Sequence, residues 1–190
     1  MRSALIVTAA LFVPTSAAMA QTAEQTVLYM LHGVEDTRIA IPEASGQSGY
    51  YYQPLTDGRT GVNVVRPNAG VDQPFVGYEY KQQDGCIISM TLSSVPPNTN
   101  QPMTALARLT LDWSKVSAVT LSAPSGPIHP TSAQGLKVTD CQELSDIAKG
   151  QCGHLKAGDL SQIWMNVGTQ ERVSKAFAYF QQTYCKGSAF

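Results

Sequence analysis

The four cysteines of the chain, Cys86, Cys141, Cys152 and Cys185, are the side chains with the widest chemical range. Together with His154, Cys141 and Cys152 could supply three ligands to a zinc ion. The chain contains no pair of cysteines separated by two residues, however, and thiols exported into an oxidising compartment pair with each other. We therefore expect two disulfides, and neither a metal site nor a cofactor.

Four cysteines allow three pairings. We favour Cys141 with Cys152, which enclose one short segment. The other pair is then Cys86 with Cys185, which would join a strand to the last helix. The sequence alone leaves the choice among the three pairings open.

Four common catalytic or nucleotide-binding motifs are absent from the sequence. The sequence has no Gly-x-Ser-x-Gly, no Walker loop, no dinucleotide-binding glycine pattern and no His-Glu-x-x-His. A hydrolytic enzyme would need a site assembled only in three dimensions, for which Asp140, His129 and His154 are the candidates. His32 has a simpler interpretation, because it lies at the end of the first predicted helix, where an imidazolium stabilises the helix C-terminus. No residue is assigned a catalytic role.

Three consecutive tyrosines, Tyr50, Tyr51 and Tyr52, are the predicted ligand-binding residues. Neighbouring side chains on a strand point to opposite faces, so Tyr50 and Tyr52 share one face and Tyr51 lies on the other. One side is then partly exposed, and a tyrosine offers a partner both contact area and a polar hydroxyl. The alternative is a sheet face covered by the first helix, since aromatic residues are common in strands.

The composition limits the partners of the protein. Of 190 residues, 43% are hydrophobic and 14% are charged, and 13 basic residues against 14 acidic ones give a net charge of −1. This balance offers no basic field for nucleic acid or for an anionic lipid surface.

The first twenty residues are typical of a secretory signal peptide. Arg2 supplies a positive charge, an apolar stretch covers residues 4–13, and Ala18-Met19-Ala20 forms a cleavage site. We expect cleavage after Ala20 and no membrane-spanning segment in the mature chain. Residues 21–190 would then form one domain in the periplasm or outside the cell.

Hydrophobic periodicity predicts a helix at each end of that domain. Residues 21–36 carry an apolar stripe, with a capping box at Thr22 and an end near Gly33. An amphipathic helix follows the N-cap candidate Thr169. Helical propensity also predicts a short helical segment over residues 142–149.

Between these helices, about seven short strands are predicted. The clearest is a hairpin over residues 75–93 that turns at Asp84-Gly85 and points Cys86 inward. Loops are expected over residues 95–102 and 124–134. The fold class is therefore α+β: a strongly bent antiparallel sheet or small barrel, with an N-terminal helix and a C-terminal amphipathic helix packed on the sheet. The other strand-like runs are 38–41, 50–52, 62–65, 108–113, 116–122, 136–138 and 163–167.

The order of strands followed by one terminal helix resembles the pleckstrin-homology-like barrel. Two segments, Asp112-Trp113-Ser114-Lys115-Val116 and Arg172-Val173-Ser174-Lys175-Ala176-Phe177, resemble small uncharacterised exported bacterial proteins. The resemblance covers residues 105–185 and assigns no site residue, because proteins of this arrangement bind diverse ligands.

We expect an exported, non-catalytic binding protein of the bacterial envelope that recognises a protein, a peptide or a small apolar ligand. The alternative is the hydrolytic enzyme described above.

Overall fold

The computed structural model describes residues 21–35, 39–40, 49–68, 71–95, 102–122, 129–156 and 164–186. This part of the chain contains three α-helices, α1 (Ala23–His32), α2 (Gln151–Lys156) and α3 (Gln170–Thr183), and one 3₁₀ turn (Asp146–Ala148). The strands are β1 (Ile39–Ala40), β2 (Tyr51–Pro54), β3 (Thr60–Asn68), β4 (Val71–Asp84), β5 (Ile87–Ser94), β6 (Thr104–Asp112), β7 (Ala118–Leu121), β8 (His129–Gln134), β9 (Lys137–Glu143) and β10 (Met165–Asn166). The predicted signal peptide and most of the predicted loop over 95–102 lie outside the described residues.

The strands form two antiparallel sheets. Seven of them pair in the order β1-β2-β3-β4-β5-β6-β9, and three pair in the order β10-β8-β7. The predicted hairpin is formed by β4 and β5, which turn at Gly85 with a left-handed φ of 45°. The α+β class is confirmed. The larger sheet is open over the described strands, so the structure does not confirm a closed barrel.

α1 is buried on almost every side. The Thr22 hydroxyl accepts from the Gln25 amide at 3.2 Å, and the Gln25 side chain accepts from the Thr22 amide at 2.9 Å, which confirms the predicted capping box. Gly33 ends the helix with a φ of 70°, a conformation that glycine adopts without strain. Eight of the ten helical residues are buried, because α1 packs against β3 and β4, against α3 and against β10.

Asn166 of β10 ties that strand to the end of α1. The side chain is fully buried, and its Nδ2 donates to the carbonyls of Tyr29 and Met30 at 3.0 and 2.9 Å. Its Oδ1 accepts from the Gly168 amide at 2.6 Å. The Tyr29 carbonyl also accepts from the Gly33 amide, so Asn166 adds a second donor there and supplies a donor to the Met30 carbonyl in the last turn of α1, where a helix leaves acceptors free.

α3 covers the core as predicted. Thr169 is its N-cap, and the Thr169 hydroxyl accepts from the Arg172 amide. Phe180 is 0% exposed, and its ring centre lies 5.7 Å from that of Trp113, which follows β6. The Phe180 ring of α3 therefore packs against the Trp113 ring at the end of β6.

Gln170 closes the free edge of β7. Its Oε1 accepts from the Leu121 amide at 2.7 Å, and its Nε2 donates to the Val119 carbonyl at 2.9 Å. The side-chain amide thus takes the place of a neighbouring strand at an edge that could otherwise pair with another chain.

Two disulfides staple the fold. Cys86 pairs with Cys185 with their Cα atoms 4.8 Å apart, which joins the β4–β5 turn to the end of α3. Cys141 pairs with Cys152 with their Cα atoms 5.7 Å apart, which joins β9 to α2. The structure supports the predicted disulfides and leaves neither sulfur of the considered zinc site free.

Two expectations about secondary structure are wrong. Strand β8 lies within the loop expected over 124–134; its Pro130 is tolerated because the Pro130 carbonyl still accepts from the Ser122 amide at 2.9 Å. The helix expected over 142–149 is replaced by the end of β9 and one 3₁₀ turn, since pairing of β9 with β6 overrides a weak local propensity.

Candidate functional site

The tyrosine run does not present three rings to solvent. Tyr51 and Tyr52 are 4% and 2% exposed, and they lie on opposite faces of β2 as predicted. The Tyr52 hydroxyl donates to the Met165 carbonyl at 2.6 Å. Tyr50 is half-buried against Phe75, with their ring centres 5.1 Å apart. A partner on the surface can therefore reach Tyr50, but neither of the other two rings.

His32 lies in a closed aromatic cluster formed with Tyr52, Tyr78 and Tyr80. Its Nε2 is 2.8 Å from the Tyr80 hydroxyl oxygen, and its Nδ1 has no hydrogen-bond partner in the described part of the chain. Burial lowers the pKa of His32 to about 3, so the imidazole is neutral. The interpretation of His32 as an imidazolium that stabilises the helix C-terminus is wrong, because α1 turns this residue into the core.

This cluster has groups suited to proton transfer but no access. His32 is 0% exposed, and Tyr78, the most exposed of the three tyrosines, is 9% exposed. Burial raises the pKa of Tyr78 to about 12. A catalytic acid or base must come within hydrogen-bond reach of its substrate. None of the four side chains of the cluster meets this condition for a molecule on the surface of the described residues.

Of the residues considered for a hydrolytic site, His129 and Asp140 lie on strands of different sheets. His129 lies on β8, where its Nδ1 is 3.2 Å from the Ser122 carbonyl oxygen, and it has no ion pair with a described carboxylate. Asp140 is exposed on β9. The His154 side chain lies outside the described residues. Over the described ranges, no three His, Cys, Asp or Glu residues are grouped as metal ligands would be.

The larger sheet has two faces of opposite character. Side chains on one face join α1 and α3 in the hydrophobic core. Because strand residues alternate, the intervening side chains face the other way, and most of them are polar. The core-facing set on the central strands is Val62, Tyr78, Tyr80, Ile88, Met90, Ala107, Leu109 and Leu111.

On the polar face, small side chains lie between two rows of long ones. Thr91 on β5 is paired with Glu79 on β4 and with Arg108 on β6. Two residues along β5, Ser89 is paired with Lys81 on β4. The hydroxyl side chains form the floor of a concavity and the longer side chains form its walls. We call this concavity the β5 trough; it is lined by Glu79, Lys81, Gln82, Gln83, Ser89, Thr91 and Arg108.

The β5 trough encloses about 590 Å³, within the range of ligand sites in proteins. Glu79 on its wall is paired with Arg59 at 2.7 Å, and Arg59 also pairs with Asp57 at 2.6 Å. Hydrogen bonding by Arg59 lowers the pKa of Asp57. Lys81 and Arg108 are exposed, and neither forms an ion pair with a described residue.

A second, smaller concavity of about 250 Å³ lies between α1 and α3. Arg172 covers the Tyr29 ring at 5.2 Å from the ring centre and pairs with Glu35. Lys175, also in the lining, pairs with Glu171 at 2.7 Å. The charges of this groove are engaged within the chain, so it offers a ligand less than the β5 trough does.

Sequence reasoning did not single out the residues of the β5 trough. The alternation of Ser89 and Thr91 with buried Ile88 and Met90 was a visible signal of a polar strand face. The walls were not visible, because they come from two other strands whose register the sequence does not give.

Comparison with known proteins finds no matching protein family, no matching curated protein and no matching solved structure. The resemblance to the pleckstrin-homology-like arrangement therefore stays a prediction. Within the described ranges, no helix has the length and apolar character needed to cross a membrane.

Proposed function

We propose that this chain is an exported, non-catalytic binding protein that recognises a peptide or protein partner through the β5 trough. The observation that carries the proposal is the polar concavity of about 590 Å³ on the open face of a sheet whose other face is filled by the core. Paired strands that two disulfides tie to α2 and α3 are a suitable support for such a surface, because binding then orders few side chains.

Binding is favoured over catalysis by what lines the trough. Its lining contains neither histidine nor cysteine, and its carboxylate, Glu79, is already paired with Arg59. The buried His32, whose pKa is strongly shifted, belongs to the closed aromatic cluster on the other face. A nucleophile with an adjacent base is therefore not among the trough residues.

A polar lining also favours one of the expected ligand classes. Hydroxyl, amide and charged groups line the trough, and these suit the amides and side chains of a peptide better than a small apolar molecule. The proposed binding residues are therefore those of β4, β5 and β6 and not the three consecutive tyrosines expected from the sequence.

Export to the periplasm or beyond is part of the proposal. The predicted signal peptide and the two disulfides support it, since disulfides persist in oxidising compartments. Mass spectrometry of protein recovered from the cell envelope should find a chain that begins at Gln21 and has no free thiol. An intact N-terminus on a cytoplasmic protein would contradict the proposal.

We also infer the strong bend expected for the sheet. Irregularities in strand pairing lie at Val64/Val65, Gln82/Asp84, Leu92/Ser93 and Thr110/Leu111. Bulges of this kind bend the strand that carries them and increase its twist. Their position on the central strands supports a curved sheet around the trough.

A displayed library of random peptides tests the binding site. Thr91→Trp would fill the floor of the trough with a large ring, and Thr120→Trp on the exposed part of β7 is the matched control. Peptides selected on the unmodified protein should lose binding to Thr91→Trp and keep it with Thr120→Trp. Peptides that bind both variants equally would place recognition elsewhere and refute the proposed site, provided that both variants keep their melting temperature.

A further inference from the structure

The β5 trough contains two cations and two hydroxyls that the chain itself does not use. Lys81 and Arg108 stand on opposite walls without an ion-pair partner in the described part of the chain. The hydroxyls of Ser89 and Thr91 on the floor likewise form no hydrogen bond with described residues. Ser89 is nevertheless only 7% exposed, so its hydroxyl sits at the bottom of the concavity.

The spacing of these groups suits one anionic group or a short extended segment. Arg108 and Lys81 lie two strands apart, a separation of about 10 Å, and are offset by two residues, about 7 Å along the strands. Long side chains can span such a gap from both sides and converge above Ser89 and Thr91. A guanidinium on one wall also offers the paired donors that match a carboxylate.

We propose that the β5 trough binds an acidic peptide segment of a partner protein, with a carboxylate held between Arg108 and Lys81 and further hydrogen bonds from Ser89 and Thr91. This inference rests on the function proposed above and names the chemistry of the partner. The positive charge available to a ligand is local, because Lys81 and Arg108 have no ion-pair partner in the described part of the chain, whereas Glu79 shares Arg59 with Asp57.

The charge of the whole chain favours a peptide over a nucleic acid. The net charge is −1, which gives no long-range attraction for a polyanion. Glu79 lies close to Lys81 on the β4 wall, and its negative charge would repel a ligand whose own negative charges are closely spaced. A segment with separated carboxylates fits this arrangement, since its amides can meet the amide side chains of Gln82 and Gln83.

Fluorescence anisotropy with two labelled hexapeptides, one of glutamate and one of glutamine, tests this inference. The unmodified protein should bind the glutamate peptide more tightly. The double variant Lys81→Gln/Arg108→Gln should weaken that binding by about 10- to 100-fold, as expected from the loss of two charge-assisted contacts. The control Lys115→Gln/Lys149→Gln removes the same charge from two exposed positions outside the trough lining and should leave the affinity within about twofold.

Three results would contradict the proposal that the ligand is an acidic peptide. They are no saturable binding of the glutamate peptide up to about 1 mM, an equal loss in both double variants, or displacement by inorganic phosphate with no preference between the two peptides. Selected library peptides separate this failure from that of the proposed function. If their binding depends on Thr91→Trp but not on Lys81→Gln/Arg108→Gln, the trough is the binding site and only its preference for acid is refuted.

Discussion

Acidification should destabilise the protein through His32, and the variant His32→Gln should lose that part of the pH dependence. His32 is fully buried at the end of α1, and burial lowers its pKa from 6.5 to about 3. In the unfolded chain the imidazole has its ordinary pKa and becomes protonated as the pH falls below 6.5. Between these two values only the unfolded state binds the proton, so the free energy of unfolding decreases as the pH falls.

The magnitude follows from the two pKa values. Each pH unit below 6.5 costs about 1.4 kcal/mol until the pKa of the folded state is reached, so at pH 4.5 the loss attributable to His32 is about 2.7 kcal/mol. For a domain whose total stability is about 5–15 kcal/mol, this is a measurable fraction.

The groups that face His32 do not titrate in this range. They are the phenols of Tyr52, Tyr78 and Tyr80, with ring centres 5.4, 4.8 and 6.0 Å from that of the imidazole. Burial raises the pKa of all three, that of Tyr78 to about 12. No described carboxylate forms an ion pair with His32. Carboxylates elsewhere, such as Glu24 and Asp57, lose their contacts in acid to the same extent in the unmodified protein and in His32→Gln. Their contribution to the pH dependence therefore cancels when the two stabilities are compared.

Urea unfolding at pH 7.5, 6.5, 5.5 and 4.5 measures the effect. His32→Gln keeps an amide that can bond to the Tyr80 hydroxyl and carries no titrating proton. The stability of the unmodified protein relative to this variant should fall by about 2.7 kcal/mol between pH 7.5 and 4.5. The control Thr120→Gln, at an exposed position on β7, leaves all histidines in place and should follow the unmodified protein. Parallel pH profiles for the unmodified protein and His32→Gln would refute the reasoning.

Three further predictions concern stability and are measured by urea unfolding. Phe180→Ala should cost about 3–5 kcal/mol and Phe177→Ala less, because Phe180 is fully buried and Phe177 only partly; equal costs would contradict the assigned face of α3. Removing the Cys86–Cys185 disulfide should cost more than removing Cys141–Cys152, about 4.7 against 2.8 kcal/mol from sequence separations of 99 and 11, and the reverse order would contradict the chain-entropy reasoning. Asn166→Ala should cost about 2–4 kcal/mol, since the Met30 carbonyl and the Gly168 amide lose their side-chain partner; a loss under about 0.5 kcal/mol would show that the bridge to β10 is dispensable.

Local signals predicted the elements that depend on local chemistry. The caps at Thr22, Gly33 and Thr169 and the turn at Gly85 each rest on residues within a few positions of one another, and all are found in the structure. The hairpin of β4 and β5 follows for the same reason. The inward position of Cys86 followed from the period of two along β5, and Cys86 is 2% exposed.

Elements that depend on distant partners were harder to predict. Pro130 and the turn-rich sequence before it favoured a loop, but β7 and β10 supply pairing partners on both sides of β8. The burial of His32 also depends on distant residues, because the end of a helix is normally exposed to solvent unless other elements pack against it. In this structure β2, β4 and β10 enclose His32. The sequence of α1 alone gives no sign that these strands bury its last residue.

The β5 trough explains why a search for motifs misses recognition chemistry of this kind. A catalytic motif is often contiguous, since a strained turn or a helix face positions several groups at once. A concavity on a sheet is instead built across strands, here from residues of three strands that are separated along the chain. Lys81, Thr91 and Arg108 are ordinary surface residues taken singly, and only the register of β4, β5 and β6 sets them around one space. The informative pattern is thus a row of small hydroxyl residues on a central strand, flanked by unpaired charges on its two neighbours.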